Sequence, residues 1–371
     1  MKRLRFVFAV VFALLFTVNA QAKVEVKNVN IGGRNANVVT VDLNKEVKLR
    51  VSKPNNKQVG TMNFKTFINN YGAKAAINGN YFEAYKGGKF PYGTQMKNGQ
   101  MINMEGKNAN LIVFDDYKAK IVHGTFKYFG YLDGKKKNEW NNATNAMDFN
   151  VFSVWYVNVA PNDTSGVYIF NQFRNVPTNF NGGFVVTVKG DVVQKVAPGN
   201  GKAEIPKDGY LIYYGKDAAD ENYVKARFKP GRKVGLDLML TKDTADGTVE
   251  TSTFKYGEEE ISFSKVTDIM SAAPMLIENG KSVWEKSVKG MEAKMTQGAG
   301  ARSLIGINKN NQLVLVTTSG TMAQCANIMA GLGCTDAFNL DGGASSALFA
   351  NGRYLRNAGR QLNTVLLIQQ K

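Results

Sequence analysis

The sequence of 371 residues contains one histidine and two cysteines, and these low counts exclude much chemistry. A Ser-His-Asp triad would have to use His123, and a site with several histidine ligands is impossible. His123 ends a short apolar run, which favours a structural or surface role. A zinc site is not indicated, because no histidine or second cysteine pair accompanies Cys325 and Cys334. We expect no metal and no cofactor.

Long hydrophobic runs are also absent after the N-terminus, so the sequence predicts no membrane span. The one apolar stretch, Phe6–Val18, follows three basic residues, and residues 20–22 read Ala-Gln-Ala. This order is typical of a secretory signal peptide with its cleavage site. We therefore interpret residues 1–22 as a signal peptide and expect an exported chain, periplasmic or secreted, that begins at Lys23.

The predicted export affects the expected oxidation state of the two cysteines. An oxidising compartment permits a disulfide, and an even count fits one. We therefore predict a disulfide between Cys325 and Cys334, with two buried free thiols as the alternative.

The charge balance is one-sided, with 47 Lys and Arg against 30 Asp and Glu and a net charge of +17. A basic exported protein attracts acidic glycans, phosphate-bearing polymers or membrane surfaces, although the charge could equally serve only solubility. Apart from Lys135-Lys136-Lys137 the basic residues are scattered, so no nucleic-acid partner is indicated. The oligomeric state is not indicated either.

The remaining sequence predicts one domain over residues 23–371, because it contains no repeat, linker or low-complexity break. Short β-prone runs far outnumber helical patterns. The predicted fold class is α+β, with strand-rich mixed sheets and few helices.

A βαβ-like unit is predicted near the C-terminus. Residues 313–317 read as a buried strand, residues 322–332 have apolar side chains at helical spacing, and residues 337–340 read as a second strand. In a parallel crossover the carboxyl ends of both strands lie at one edge, where ligands bind. Residues 318–321 read as a turn, and we therefore expect residues 318–320 to lie beside Asp341, Gly342 and Gly343.

The residues that follow the second strand suit a sugar, a phosphate, or both joined together. Glycines let the backbone approach a ligand closely, and their N–H groups can line a concavity that binds an anion. Asp341 supplies a carboxylate, and Ser345 and Ser346 supply further donors. The alternative is a pair of ordinary glycine-rich turns.

Several segments, taken in order, resemble the phosphodiester glycosidase family, the NAGPA domain. The segments are Ile77-Asn78-Gly79-Asn80-Tyr81-Phe82, the loop with Pro91 and Gly93, residues 206–209, the Pro230-Gly231 turn, residues 273–277, Arg302 with Ile305-Gly306, Asn339-Leu340-Asp341-Gly342-Gly343 with Ser345-Ser346, and Arg360 with Asn363. There are two departures from the family pattern. Ala344 replaces a third glycine, where its methyl group would hinder a positive φ, and Ser319 replaces an acid.

The resemblance implies hydrolysis of the bond between a sugar anomeric carbon and a phosphate diester. It implies that Asp341 acts as a base or electrostatic stabiliser and that Arg302 holds the phosphate with its planar fork. The other residues implied to bind substrate are Asn78, Asn80, Gly93, Thr318, Ser319, Gly342, Gly343, Ser345 and Ser346.

Each assignment has an alternative. Arg302 could form a structural ion pair, Asn78 could cap a turn, and Asp341 could satisfy loop N–H groups. Glu83 is a candidate second carboxylate, or else a solvated loop acid. At the level of function, the alternative is a non-catalytic binding protein for anionic glycans on the same scaffold.

Overall fold

Strands dominate the structure because β-branched and aromatic residues recur at alternate positions along most of the chain. The structure, a computed structural model, describes residues 23–85, 87–293 and 298–371. The predicted signal peptide, residues 1–22, lies outside the described residues. Strands account for 53% of the structure and helices for 11%, which confirms the predicted α+β class.

The strands of the first half are β1 (Val24–Ile31), β2 (Arg34–Asp42), β3 (Val47–Ser52), β4 (Ala75–Asn78), β5 (Gln95–Lys97), β6 (Gln100–Asn103), β7 (Lys107–Phe114), β8 (Lys118–Leu132), β9 (Glu139–Asn141), β10 (Ala146–Asp148), β11 (Val151–Val154), β12 (Tyr156–Val157), β13 (Val167–Asn171) and β14 (Asn179–Lys189). Those of the second half are β15 (Val192–Lys202), β16 (Gly209–Tyr214), β17 (Val234–Thr244), β18 (Gly247–Thr251), β19 (Thr253–Tyr256), β20 (Glu259–Ser262), β21 (Val266–Ala272), β22 (Met275–Glu278), β23 (Lys281–Ser282), β24 (Gly300–Asn308), β25 (Gln312–Gly320), β26 (Cys334–Asn339), β27 (Leu348–Ala350), β28 (Arg353–Arg356) and β29 (Val365–Gln370). The α-helices among the described residues are α1 (Phe64–Tyr71), α2 (Glu221–Arg227), α3 (Trp284–Ser287) and α4 (Met322–Gly331). Short 3₁₀ turns occupy Pro54–Asn56, Phe263–Lys265 and Gly343–Ser345.

Four sheets form the body of the molecule. The site sheet has the order β1-β2-β25-β24-β26-β22-β23, and the short sheet has the order β28-β27-β4-β29-β3. An eight-stranded sheet has the order β18-β17-β8-β7-β21-β5-β6 with β11 on β8, and a fourth has the order β12-β13-β16-β14-β15. Most neighbours run antiparallel, but β12 and β13 run parallel, so the sheets are mixed. In the described part of the chain, no helix is long and apolar enough to cross a membrane.

The site sheet is buried on both faces, and β25 shows why. Leu313 and Leu315 point into the central core, which also contains Ile77 of the short sheet and Leu111 of the eight-stranded sheet. The alternate residues of β25 pack with the apolar face of α4 in a separate cluster. A strand with apolar side chains on both faces needs a layer on each side, and these layers hold the site sheet rigidly.

The predicted βαβ-like unit is present, with one strand that the sequence did not place. The strands β25 and β26 each pair antiparallel with β24, so they run parallel to each other with β24 between them. The helix α4 connects them and begins at Thr321, whose hydroxyl accepts a bond from the Gln324 N–H while the Gln324 side chain accepts one from the Thr321 N–H. The start of β24 therefore lies at the same edge as the carboxyl ends of β25 and β26.

The predicted disulfide is wrong in this structure, which keeps both cysteines as buried free thiols. Cys334 opens β26 opposite Asn308, at the far end of β24 from Arg302. Burial raises the pKa of Cys325 to about 12, and the nearby Arg302 guanidinium opposes that rise. Six residues of strand separate Arg302 from Asn308, roughly 20 Å at about 3.3 Å per residue. The two thiols therefore lie near opposite ends of β24, beyond the reach of a disulfide.

We expect labelling of the denatured, unreduced protein to find two free thiols per chain. The native protein should react slowly, because burial raises the pKa of both thiols to about 12 and the thiolate is the reactive form. Denatured protein without a labelled thiol would contradict the structure, and a reduced sample provides the two-thiol standard.

Candidate active site

Three chain segments meet at the edge where β25 and β26 end. Arg302 lies opposite Thr318 at the start of β24, and Asp341 follows β26. The loop after β4 joins them from the short sheet, where the Gly79 carbonyl accepts a 3.1 Å bond from the Asp341 N–H. The strand ends that the sequence indicated are therefore brought together by two different sheets.

A cavity of about 820 Å³ opens at this junction. Carboxylates, arginines and tyrosine rings line it, a combination suited to an anionic sugar compound. The lining residues are Tyr81, Phe82, Glu83, Ala84, Tyr85, Tyr92, Asn108, Ala272, Ala273, Met291, Glu292, Ala299, Gly300, Ala301, Arg302, Asp341, Gly342, Gly343, Ala344 and Arg360. In the described ranges, no group of three His, Cys, Asp or Glu side chains is arranged to hold a metal ion.

Asp341 is the most perturbed carboxyl group of the cavity. Burial raises its pKa from 3.8 to about 6, against the opposing effects of Ser345, the Arg360 charge and the Gly342 N–H. A carboxyl group with this pKa exchanges protons near neutral pH, as a general base or acid requires. The structure therefore supports a chemical role for Asp341 more than a purely structural one.

The loop after Asp341 presents backbone N–H groups. Gly343 has φ +60°, which favours glycine, whereas Ala344 does not have a positive φ. At Gly342 a Cβ atom would lie 2.8 Å from the Ala301 carbonyl oxygen, so only glycine fits. Within the described residues, the N–H groups of Gly343 and Ala344 have no acceptor. Both residues are exposed and line the cavity, so these donors are open to solvent or to an anion.

Arg302 is held in place by neutral groups. Its side chain is 7% exposed, and it donates through Nε to the Gly320 carbonyl at 3.2 Å and through Nη2 to the Gly298 carbonyl at 2.8 Å. No carboxylate of the described chain forms an ion pair with it. The guanidinium charge is therefore not neutralised by a protein carboxylate, which opposes the structural ion-pair alternative.

A second arginine stands at the rim of the cavity. The Arg360 guanidinium lies 4.9 Å from the centre of the Tyr85 ring and donates through Nη2 to the Tyr85 hydroxyl at 2.8 Å. The Gly359 N–H donates to the Ala344 carbonyl at 2.7 Å, which ties this segment to the Asp341 loop. Tyr85 is itself 88% exposed, so its ring forms the outer wall of the cavity.

Asn78 lies beneath the cavity and not in it. Its amide nitrogen donates to the Asp341 carbonyl at 2.7 Å, while its oxygen accepts from the Ser303 hydroxyl at 2.6 Å and the Ala347 N–H at 2.9 Å. With 1% exposure it has no room for a sugar. The structure therefore corrects its predicted substrate contact to a positioning role, in which it joins β4, β24 and the Asp341 loop.

Asn80 and Gly93 also act as supports. The Asn80 amide is buried and donates to the Tyr92 carbonyl at 2.6 Å. Gly93 has φ +80°, and a Cβ atom there would lie 2.4 Å from the Ser271 hydroxyl oxygen. Neither residue lines the cavity, so their predicted substrate contacts are replaced by the positioning of Tyr92, which does line it.

The predicted hydroxyl contacts are likewise displaced from the cavity. Thr318 is buried and donates to the Asn35 carbonyl at 2.8 Å, and Ser319 is exposed outside the cavity. The reason is that β25 continues to Gly320, because β2 and β24 pair with its end, where the sequence suggested a turn. Ser345 and Ser346 are 1% exposed and do not line the cavity, although Ser345 lies close enough to the Asp341 carboxyl to oppose its raised pKa. Of the predicted set, Asp341, Arg302, Gly342 and Gly343 share the cavity.

Sequence reasoning missed the tyrosines. Asn339 donates to the Tyr81 hydroxyl at 2.6 Å, so the proton of Tyr81 is free to point elsewhere. Burial raises the pKa of Tyr81, and the charge of Asp341 adds to the rise, which places the two groups close together. An aromatic residue next to the Asn78-Gly79-Asn80 run was the signal that could have indicated a cavity wall.

Comparison with known proteins places the chain in a family. The family model described as phosphodiester glycosidase matches residues 182–369. This chain belongs to the phosphodiester glycosidase family. No curated protein matches it.

Two solved structures share the fold of this chain. A hypothetical protein from Synechocystis has a TM-score of 0.72 at 18% identity, over 95% of this chain and 62% of that one. A protein from Burkholderia pseudomallei has a TM-score of 0.62 at 15% identity, over 91% and 74%. This chain thus spans less than two thirds of the Synechocystis protein. At these identities the likeness shows the fold alone.

A third solved structure is the zebrafish N-acetylglucosamine-1-phosphodiester alpha-N-acetylglucosaminidase catalytic domain. It aligns with a TM-score of 0.43 at 12% identity, over 95% of this chain and 83% of that one. That TM-score is too low to support a conclusion.

We expect Asn78→Ala to destabilise the protein strongly. The change leaves the Ser303 hydroxyl, the Ala347 N–H and the Asp341 carbonyl without their partner, and each orphaned buried group costs about 1 to 3 kcal/mol. Chemical denaturation should show a loss of roughly 2 to 5 kcal/mol. Asn69→Ala, which removes an exposed amide from α1, is the matched control. Equal stability of the two variants would contradict the positioning role of Asn78.

We expect Asp341→Asn to raise the melting temperature above pH 6. The folded pKa of about 6 exceeds the ordinary value of 3.8, so the folded state holds a proton that the unfolded state releases between these pH values. Wild-type stability therefore falls as the pH rises through this window and stays lower above it.

Thermal unfolding from pH 3.5 to pH 8 tests this expectation. The melting temperature of the Asp341→Asn variant should exceed that of the wild type at pH 8, and this difference should shrink toward pH 3.5. Asp217→Asn removes an exposed carboxyl and should show no such trend. A difference for Asp341→Asn that does not change with pH would rule out the buried-carboxyl explanation.

Proposed function

We propose that this protein is an exported glycosidase that hydrolyses the bond between a sugar anomeric carbon and a phosphate diester on cell-envelope or extracellular glycans. The observation that carries the proposal is the convergence of three groups in one cavity: the Asp341 carboxyl, the Arg302 guanidinium without a carboxylate partner, and the free N–H groups of Gly343 and Ala344. Membership of the family supports the reaction type.

In the proposed reaction the phosphate binds between Arg302 and the N–H groups of the Asp341 loop. The planar guanidinium fork of the buried Arg302 matches phosphate oxygens, and its charge together with the loop N–H groups stabilises the charge that develops as the C1–O bond breaks. The C1–O bond breaks, and the phosphate monoester leaves with the bonding electrons. Phosphate is a good leaving group, so little general-acid assistance is needed.

The carboxylates face the sugar side of the same bond. Ionised Asp341 stabilises the positive charge of the oxocarbenium-like sugar or takes a proton from the water that adds to C1. Glu83 also lines the cavity, and among the described residues it has no cationic partner. It is the available second carboxylate, and the rings of Tyr85 and Tyr92 offer apolar surface to the sugar ring.

The two departures from the family pattern do not damage this arrangement. Ser319 is exposed and does not line the cavity, so the arrangement of Asp341 and Arg302 does not depend on its side chain. Ala344 has a negative φ, and among the described residues its N–H has no acceptor. The expected hindrance from its methyl group is therefore absent.

We expect Asp341→Asn and Arg302→Lys each to lower the turnover of sugar-1-phosphodiesters by about 10² to 10³-fold. The first change removes the titrating carboxyl, and the second keeps the charge but removes the fork. The measurement is sugar released from a panel of methyl glycosyl-1-phosphodiesters of glucose, galactose, mannose and N-acetylglucosamine. Circular dichroism and the melting temperature must show that both variants are folded.

Arg353→Lys changes an exposed arginine of β28 outside the cavity and is the matched control. Wild-type turnover by a folded Asp341 or Arg302 variant would remove that residue from the mechanism. If the wild type releases no sugar from the panel but binds these compounds measurably, the protein is the non-catalytic binding protein for anionic glycans.

A further inference from the structure

A second cavity of about 520 Å³ adjoins the first across Arg360, which lines both. It lies between the start of α1 and the chain that follows β28. Its lining residues are Asn63, Phe64, Lys65, Thr66, Asn69, Tyr354, Asn357, Ala358 and Arg360. One guanidinium is therefore available to ligands on two sides.

The chemistry of the second cavity suits a sugar that carries a negative charge. Among the described residues, the amides of Asn63, Asn69 and Asn357 make no side-chain hydrogen bond and are exposed. Amides and hydroxyls can both donate to and accept from sugar hydroxyl groups. Lys65 is exposed without an ion pair in the described chain, so its ammonium is available to an anion.

The floor of this cavity is rigid. The Tyr354 ring packs edge-on against Phe64 at 6.3 Å and against Phe349 at 5.0 Å between ring centres. Arg360 is fixed on its other side by Tyr85 and through Gly359 by the Asp341 loop. A ligand in the second cavity would therefore meet Tyr354 and Arg360 already held in place, whereas the exposed amides and Lys65 would become ordered on binding.

We propose that the substrate is a polymer in which sugars are joined by phosphodiesters, and that the second cavity binds the repeating unit next to the bond that is cleaved. This inference rests on the proposed function. The first cavity holds the sugar and phosphate that react, Arg360 lies between the two units, and Lys65 meets the following phosphate. Without Lys2, Arg3 and Arg5 of the predicted signal peptide the net charge of +17 becomes +14, and this charge attracts a long polyanion more strongly than a small diester.

The test compares one repeat with several. The probes are the methyl phosphodiester of N-acetylglucosamine 1-phosphate and a synthetic tetramer of N-acetylglucosamine units joined by 1,6-phosphodiesters. Binding is measured by calorimetry on the wild type and on Asp341→Asn, and kcat/KM is measured on the wild type. The tetramer should bind at least 10-fold more tightly than the methyl diester and have a correspondingly higher kcat/KM.

The double variant Lys65→Ala, Asn357→Ala should bind the tetramer only as tightly as the methyl diester. Its affinity for the methyl diester should equal that of the wild type. Both side chains are exposed, so the fold should be retained. Lys229→Ala removes an exposed lysine that lies in neither cavity and is the charge-matched control.

Equal affinity of the wild type for the two probes would overturn the inference. An equal loss of affinity for both probes in the double variant would also overturn it. These outcomes differ from failure of the proposed function, in which neither probe is hydrolysed. Binding would still decide the inference in that case, because tighter binding of the tetramer that depends on Lys65 and Asn357 supports it without turnover.

Discussion

The Asn78 side chain is the contact on which the candidate site depends. One amide joins the Asp341 carbonyl, the Ser303 hydroxyl and the Ala347 N–H, so it connects the short sheet to both strands that carry the reactive groups. No backbone ladder crosses this junction, because β4 and β24 belong to different sheets. A buried amide with both ends satisfied fixes the distance between them at little cost, whereas a water-filled gap would leave Asp341 free to move.

That fixed position explains the state of Asp341. A carboxyl group at a flexible strand end would turn toward water and keep its ordinary pKa, but here the backbone on either side is bonded to Gly79 and Asn78. Burial then raises the pKa to about 6 at the expense of stability at neutral pH. The rest of the fold supplies that stability through sheets buried on both faces, which is the usual relation between a strained site and its scaffold.

Local sequence patterns predicted much of this arrangement, but they did not predict contacts between residues far apart in the sequence. The alternation in β25 and the apolar face of α4 predicted both elements, and glycines after a strand predicted the Asp341 loop. The turn expected at Thr318 is absent because β2, about 280 residues earlier, pairs with it. The number of cysteines gives no information on the distance between them. Because Cys334 pairs with Asn308 at the far end of β24, the two thiols lie apart.

The residues that the sequence could not place share one property. Tyr85 and Arg360 are 275 positions apart, and nothing local to either indicates that one ring holds the other guanidinium. The role of Asn78 was missed for the same reason, because its partners Ser303 and Ala347 lie far along the chain. Chemistry that depends on one residue was therefore visible in the sequence, and chemistry that depends on a pair was not.

The two arginines of the cavity have different environments, and this difference distinguishes the inner end of the cavity from its rim. Arg302 is buried and held by two carbonyl groups, so desolvation makes its charge act strongly on a phosphate that reaches it. Arg360 is half-buried at the rim, where solvent screens its charge and Tyr85 fixes its direction. A phosphate bound between them would be drawn toward Arg302, and its second ester would then have to leave the cavity past Arg360. In the proposed reaction the cavity would therefore have an inner end at Arg302 and an outer end at Arg360 that continues along the protein surface.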